Sequence, residues 1–252
     1  MKAFLKASAI FSLLAIISCW ECTGHMIVWE IAMAELGDEF VNNHLSPLLY
    51  DQTQNFSQYP NIYEYACWPD EYKKIHNETA SWHYIDIPFF DGYETNVTLD
   101  EKNVAWALNT GFKVLRNQSV EYPKPEMLRN LIHFAGDIHQ PLHACQRYTP
   151  ELPTGDQGGN FFRVHHPSIS SLHALWDTAL GFFSNLPRPL SQSSIISLIT
   201  AASSITKEFP KWNFIKELEI LDGFDIANGT DGTYHLAKQF AYKGILNNTN
   251  PS

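Results

Sequence analysis

The 252-residue chain is poor in cysteine, in charged residues and in long apolar runs. Four cysteines are too few for a disulfide-dense scaffold. Only 17% of the residues are charged and 44% are hydrophobic, which excludes a disordered chain and favours a folded protein with a sizeable core. Basic residues are also scarce, with 17 Lys and Arg against 27 Asp and Glu. A general basic surface that holds a polyanion is therefore excluded.

The first 19 residues have the features of a secretory signal peptide. Lys2 and Lys6 form a basic start, residues 7–17 are a short apolar run, and small residues precede a cleavage site after Cys19. Cleavage there removes two lysines, makes Trp20 the first of 233 mature residues and changes the formal charge from −10 to −12. The alternative is an uncleaved anchor, although the run is short for a membrane span.

Six N-x-Ser/Thr sequons follow the signal segment and favour a glycosylated protein of the secretory route. We predict that the processed chain has no membrane anchor and is secreted or held in a secretory or lysosomal compartment. The sequon asparagines are Asn55, Asn77, Asn96, Asn117, Asn228 and Asn247.

Three cysteines remain after cleavage at Cys19, namely Cys22, Cys67 and Cys145. An odd number leaves at least one thiol without a partner in the same chain. The sequence alone assigns no pair.

Apolar residues at helical spacing predict one mainly α domain over residues 20–252, with long loops and no internal repeat. Strand signals are confined to residues 82–88 and 161–164, and a loop rich in Gly and Pro is predicted over 145–168. Helices are predicted over residues 26–36, 104–115, from Pro125 to a stop or kink at Pro141, 171–182, 193–209, 210–221 and 235–246.

Histidine and aspartate recur at the spacing of metal ligands. His133 and Asp137 are four residues apart, as are His173 and Asp177, so each pair projects from one face of a helix. A single pair of this kind is usually a surface pair or a helix cap. That explanation does not suit this chain as well, because it has two such pairs and because further ligand candidates accompany them. These are Asp70, His83, His143 beyond Pro141, and His25 five residues after Trp20. Imidazole and carboxylate ligands without paired cysteines favour Zn²⁺ in a hydrolytic, multi-metal site.

The other histidines are predicted to have no role as ligands. His139 is interpreted as structural or as a support for a ligand. His165 and His166 are predicted to be solvated, and no role is assigned to His44, His76 or His235.

The motifs together resemble the zinc-dependent, single-strand-preferring nucleases of fungi and the bifunctional nucleases of plants. The resemblance runs from Trp20 to about Asp177. Its motifs are Trp20-x₄-His25, Trp68-Pro-Asp70-x₂-Lys73, His83-x₂-Asp86, His133 to Asp137 through Gly136, Pro141-Leu-His143, Gly158-Gly-Asn160 and His173-x₃-Asp177.

The resemblance implies a helical domain of the zinc phospholipase C and single-strand nuclease type that holds three Zn²⁺ ions. It assigns Asp70, His83, His133 and Asp137 to the first ion. Asp137 would bridge to a second ion, which also takes His25 and the amino group and carbonyl of Trp20. His143, His173 and Asp177 would hold the third ion.

The resemblance also implies substrate-binding residues. Lys73 and Asp86 match family positions near the reacting phosphate and base, and together with Asp137 they are the implied catalytic residues. Tyr84 matches an aromatic residue that stacks on a base, although packing alone would explain such a residue. Asn160 would hydrogen-bond a base edge, and its alternative is a plain turn.

The implied activity is endonucleolytic hydrolysis of single-stranded DNA and RNA to 5′-phosphate products, with 3′-nucleotidase activity, by a monomer. One alternative is a zinc phospholipase C. That family carries Glu where this chain has Asp177, and its first His lies much further from the terminal Trp. A secreted metal-storage or nucleic-acid-binding protein is the other alternative, and it predicts a lost ligand, whereas every ligand position is filled here. The chain also has fewer cysteines than the family generally carries.

Overall fold

A computed structural model describes residues 20–50, 60–116, 122–183, 185–214, 222–229 and 232–245. The predicted signal peptide and the sequons at Asn55, Asn117 and Asn247 lie outside these ranges. The described residues form a mainly α structure with one small sheet, which confirms the predicted fold class. Within the same ranges, no helix combines the length and the apolar character needed to cross a bilayer.

Helices α1 to α11 and strands β1 and β2 alternate with short 3₁₀ and π-helical turns. The α-helices are α1 Cys22–Leu36, α2 Asp38–Phe40, α3 Ser46–Leu49, α4 Trp68–Tyr72, α5 Val104–Leu115, α6 Lys124–Asp137, α7 Pro141–Ala144, α8 Leu172–Asp177, α9 Gln192–Glu208, α10 Gly223–Asn228 and α11 Thr233–Leu236. The strands are β1 Ile87–Phe90 and β2 Cys145–Tyr148. The π-helical turns are Val41–Leu45 and Ala237–Ala241, and the 3₁₀ turns are Glu64–Cys67, Asn77–His83, Ala179–Gly181 and Lys211–Phe214.

Helix α6 lies between two apolar clusters and is buried along most of its length. Leu128 and Ile132 pack into a cluster with α1 and α9, whereas Leu131 and Phe134 pack into a cluster with α5. Each buried aliphatic or aromatic side chain of this kind contributes about 1.5–3 kcal/mol to folding. The core therefore fixes the helix on both sides.

The two strands pair in parallel, with Ile87 opposite Cys145 and Phe90 opposite Tyr148. The first strand prediction was wrong in its bounds, because residues 82 and 83 belong to the 3₁₀ turn that precedes β1. The prediction for residues 161–164 was wrong, since only Arg163 forms an isolated bridge there. The predicted loop over 145–168 begins with β2, whose partner is distant in sequence and therefore has no local signature.

The predicted bounds of α5 are confirmed, and this helix has a side-chain cap. Asn103 accepts a hydrogen bond from the Trp106 N–H, and α5 spans the predicted residues 104–115. The predicted helix over 171–182 is shorter, because positive φ angles at Ala179 (48°) and Leu180 (57°) interrupt it. Only residues 211–214 of the helix predicted after Pro210 are described as helical. The last predicted helix is instead α11 with a π-helical turn, and Leu246 lies outside the described residues.

A disulfide joins Cys22 of α1 to Cys67, and Cys145 is a free, buried cysteine. The cross-link ties the segment after Trp20 to the segment before Asp70, across 45 residues of sequence. A loop of that length corresponds to about 4 kcal/mol of stabilisation in the chain-entropy description.

The double variant Cys22→Ser/Cys67→Ser should lose about 2–4 kcal/mol of unfolding free energy, because its unfolded chain is no longer constrained. Urea unfolding measures this loss. Cys145→Ser is the matched control, since it changes a buried thiol without breaking a cross-link. Equal stability of the double variant and the wild type would contradict the structural role of the disulfide.

Candidate metal centre

Helix α6 places His133 and Asp137 one turn apart on the same face, as their spacing predicts. Both side chains are buried, and His133 Nε2 lies 3.2 Å from Asp137 Oδ2. The other Asp137 oxygen, Oδ1, lies 3.4 Å from His25 Nε2 and 3.6 Å from His143 Nδ1. The carboxylate of Asp137 is therefore the central group of the site.

Three groups of donor atoms surround this carboxylate. Within each group the donor atoms lie within 4.8 Å of one another. Group one is Asp70, His83 and His133, group two is His25, His133 and Asp137, and group three is His143, His173 and Asp177.

Distances between donor atoms in these groups fit a zinc ion. In group one, Asp70 Oδ1 lies 3.6 Å from His133 Nε2 and 3.7 Å from His83 Nδ1. In group three, Asp177 lies 3.9 Å from His143 Nε2 and 3.6 Å from His173 Nε2. A tetrahedral Zn²⁺ with bonds of about 2.0–2.1 Å places its ligands roughly 3.3 Å apart. Small shifts of the side chains would therefore close each group on an ion.

Backbone carbonyls fix the orientation of three histidines. The Nδ1–H groups of His133, His143 and His173 donate to the carbonyls of Ala66 (2.7 Å), His83 (2.7 Å) and Gly158 (2.8 Å) respectively. Each ring therefore presents Nε2 to its group, as in histidines whose second nitrogen is held by a supporting acceptor. The carbonyl of His83 is available to His143 because the pairing of β1 and β2 extends to the Ile85 N–H, which donates to the His143 carbonyl at 2.9 Å.

Several buried polar atoms at the centre make no hydrogen bond with the described residues. They are both ring nitrogens of His25, Asp137 Oδ1, His143 Nε2 and Asp177 Oδ2. A buried polar group left in this state costs about 1–3 kcal/mol. Cations between these atoms would satisfy His25 Nε2, His143 Nε2 and the two carboxylate oxygens, so the residues present fit the metal ions that the resemblance implies.

The electrostatic environment also suits a cation. Burial and the charge of Lys73 lower the pKa of His83 to about 3, and burial lowers the pKa of His25 and His143. These rings are therefore neutral, the form that binds metal. Burial is the largest influence on Asp137 and opposes its ionisation, but the charge of His133 and hydrogen bonds from neighbouring histidines together outweigh burial and hold the pKa of Asp137 well below its usual value.

Gly136 lets α1 approach α6 closely enough to bring His25 into the site. A Cβ at Gly136 would lie 2.9 Å from His25 Nδ1. The His25 ring stacks on His133 with a centroid separation of 3.7 Å. Trp20 Nε1 donates to the Gly136 carbonyl at 2.9 Å, which places Trp20 beside Asp137. Ligation by the amino group and carbonyl of Trp20 stays a prediction.

The predicted substrate residues lie around these groups. Lys73 Nζ contacts Asp70 Oδ1 at 2.6 Å. Tyr84 is half-buried directly after His83, and its role stays a prediction. The Asp86 N–H approaches the His143 carbonyl at 3.4 Å, and burial together with the Asp156 charge raises the pKa of Asp86 to about 7. Asn160 Nδ2 donates to the Gln157 carbonyl, so the amide takes part in its turn, and base recognition stays a prediction.

The remaining histidines lie outside the three groups. His139 is exposed and its Nδ1–H donates to the backbone carbonyl of Ala135, so the contact shown for it is not with a ligand candidate. His165 and His166 are exposed, as predicted. Sequence reasoning missed Gln140, a buried side chain that contacts Asp177. Its position next to Pro141 gave no spacing signal of the kind that identified the histidines.

A sequence profile of the S1/P1 nucleases matches residues 20–252. The chain belongs to the S1/P1 nuclease family. The predicted zinc phospholipase C-like helical fold is the fold of this family.

Curated relatives share about a quarter to a third of the aligned residues. Endonuclease 2 of Arabidopsis thaliana is 27% identical over 63% of this chain and 55% of its own length. Endonuclease 3 of the same plant is 30% identical over 63% of this chain and 53% of its own length. Nuclease P1 of Penicillium citrinum is 27% identical over 63% of this chain and 57% of its own length. The chain thus spans about half the length of the curated relatives it matches.

Gly136→Ala should weaken binding of one metal ion by roughly 10–100-fold, because the new methyl group displaces His25 from its donor position. Metal content at buffered zinc concentrations measures the effect. Gly111→Ala is the matched control, since its Cβ would meet Leu131 at 2.7 Å, away from the donors. The control should lose about 1–3 kcal/mol of stability and keep its metal affinity. Unchanged zinc binding by Gly136→Ala would contradict the placement of His25.

Proposed function

We propose that this chain is a secreted, glycosylated, zinc-dependent endonuclease that hydrolyses single-stranded DNA and RNA to 5′-phosphate products and also acts on 3′-nucleotides. Membership of the S1/P1 family and relatives that are named endonucleases support the reaction class. The observation that carries the proposal is the presence of three donor groups around the buried Asp137 carboxylate, which lies 2.9–3.6 Å from nitrogens of His25, His83, His133 and His143. The chain is proposed to act as a monomer.

Three Zn²⁺ ions are proposed. Asp70, His83, His133 and Asp137 would hold the first ion, Asp137, His25 and the amino group and carbonyl of Trp20 the second, and His143, His173 and Asp177 the third. Bound there, the ions would supply an activated water and would neutralise charge that develops on the phosphate. The neighbouring carbonyls hold the histidine rings in place, so the donors are preorganised for this chemistry.

Substrate would approach from the side of Asp70 and Lys73. The Asp70 side chain is 23% exposed, whereas the other donor side chains of the three groups are at most 4% exposed. Lys73 lies at this open edge and would neutralise a phosphate oxygen as a point charge. Tyr84 is proposed to stack on an adjacent base, which requires an unpaired strand and accepts any base. Asp86 and Asn160 are proposed to contact the base edge.

The acidic composition agrees with substrate binding at one local site. Three Zn²⁺ ions would bring about +6 to a chain at −12, concentrated at one point. A single phosphate would be held at that point, and the protein would not attract duplex DNA over a broad surface.

Mature wild-type protein should cleave single-stranded DNA and RNA to 5′-phosphate ends, and a chelator should abolish the activity until zinc is restored. Asp137→Asn should reduce the cleavage rate by more than roughly 100-fold, because it removes the central charge. Loss of a residue that only supports a ligand typically costs up to about 100-fold. Cleavage of a labelled oligonucleotide measures both effects.

Two controls accompany this assay. Asp100→Asn removes an exposed carboxylate outside the three groups and should keep full activity. Phosphatidylcholine tests the phospholipase alternative and should remain intact. Cleavage of phosphatidylcholine with no cleavage of nucleic acid would overturn the proposed function.

Two residues added before Trp20 should remove one zinc ion and most of the activity, because the terminal amine becomes an amide, which is a poor ligand. Metal analysis and the cleavage assay measure the two losses. The same residues added after Ser252 serve as the control. Full zinc content and full activity of the N-terminally extended protein would show that Trp20 does not use its amino group as a ligand.

A further inference from the structure

Gln140 lies between α6 and α7 and is fully buried, although amides usually lie at the surface. Its side chain makes two hydrogen bonds of opposite direction. Nε2 donates to Asp177 Oδ1 at 2.8 Å, and Oε1 accepts from the Leu142 N–H at 2.5 Å. Because the Leu142 N–H is a donor and the carboxylate is an acceptor, these partners fix the orientation of the amide.

The first hydrogen bond gives the two oxygens of Asp177 different partners. Oδ1 accepts from Gln140 Nε2 and lies 3.9 Å from His143 Nε2, whereas Oδ2 lies 3.6 Å from His173 Nε2 and makes no hydrogen bond with the described residues. A neutral N–H donor can hold a carboxylate in this position without supplying a competing charge. By fixing the carboxylate through Oδ1, Gln140 leaves Oδ2 facing His173 Nε2 of group three.

The second hydrogen bond fixes another member of the same group. Pro141 has no N–H, so the Leu142 N–H is the first amide of α7 that needs a partner, and Gln140 caps it. The cap fixes the start of a four-residue helix whose third residue is His143. One side chain therefore positions ligand candidates that lie 34 residues apart in sequence.

We propose that Gln140 is a positioning residue for the third metal ion, setting the affinity of group three separately from that of groups one and two. This inference rests on the zinc centre of the proposed function. The effect is expected to be confined to group three, because both side-chain hydrogen bonds of Gln140 act on it. One is made to Asp177 itself, and the other fixes the start of the helix that carries His143. In groups one and two, other parts of the chain orient the ligand candidates. For example, the Ala66 carbonyl accepts the hydrogen bond that orients the ring of His133.

The test is the zinc content of the full mature chain by native mass spectrometry over a series of buffered free-zinc concentrations. Gln140→Glu keeps an oxygen for the Leu142 N–H but replaces the donor to Asp177 with a second carboxylate. Gln140→Met has a similar shape and loses both hydrogen bonds, and it carries the test if the Glu variant does not fold. Gln146→Glu makes the same chemical change at a half-buried amide that contacts Tyr148 and Thr154.

Both Gln140 variants should release one zinc ion at a roughly 10–100-fold higher free-zinc concentration than the wild type and keep the other two at wild-type affinity. Gln146→Glu should bind zinc as the wild type does. His143→Ala shows which ion is affected, because this variant should lack the third ion. Gln140→Glu added to it should leave the affinities of the two remaining ions unchanged.

Wild-type affinity for all ions in the Gln140 variants, or an equal loss for every ion, would overturn the inference. A wild-type chain that binds fewer than three zinc ions would also overturn it. By contrast, a wild-type chain that binds three ions and leaves nucleic acid intact would overturn the proposed function while retaining the role of Gln140.

Discussion

The structure depends on one unfavourable feature, the burial of the Asp137 carboxylate among imidazole rings. Water cannot solvate this carboxylate, and Oδ1 finds no hydrogen-bond donor among the described residues. Burying a charge in this way is costly unless an opposite charge compensates for it. The apolar packing on both sides of α6 holds the carboxylate in place, and a bound cation would remove the cost. Folding and metal binding are therefore expected to be coupled in this chain.

The surrounding elements each bring donors to this point for a separate physical reason. The disulfide between Cys22 and Cys67 ties together the segments that carry His25 and Asp70. Pairing of β1 with β2 lets the carbonyl of His83 orient the ring of His143. The loop around Gly158 supplies the carbonyl that orients His173, and a Cβ at Gly158 would lie 2.3 Å from the Leu142 carbonyl. The small sheet and Gly158 thus lie where they orient the histidine rings of the candidate metal centre.

Sequence reasoning reached the donors because their spacing is local. His133 with Asp137 and His173 with Asp177 follow the helical repeat, Asp70 and His25 were further candidates beside them, and the resemblance assigned these residues to ions. His133 occurs in both group one and group two, but its Nδ1–H is held by the Ala66 carbonyl, so its Nε2 can bind only one ion. Long-range contacts leave no such signature, so the pairing of residues 87–90 with 145–148 and the contact of Gln140 with Asp177 were missed. The early end of α8 was also missed, because it depends on positive φ angles at Ala179 and Leu180.

Anomalous scattering at the zinc absorption edge from crystals of the mature protein tests the account most directly. We predict three anomalous peaks: one among Asp70, His83, His133 and Asp137, one among Trp20, His25 and Asp137, and one among His143, His173 and Asp177. Each peak should lie about 2.0–2.2 Å from its nearest donor atoms. The absence of a peak beside Asp137 in zinc-saturated crystals would contradict the central claim.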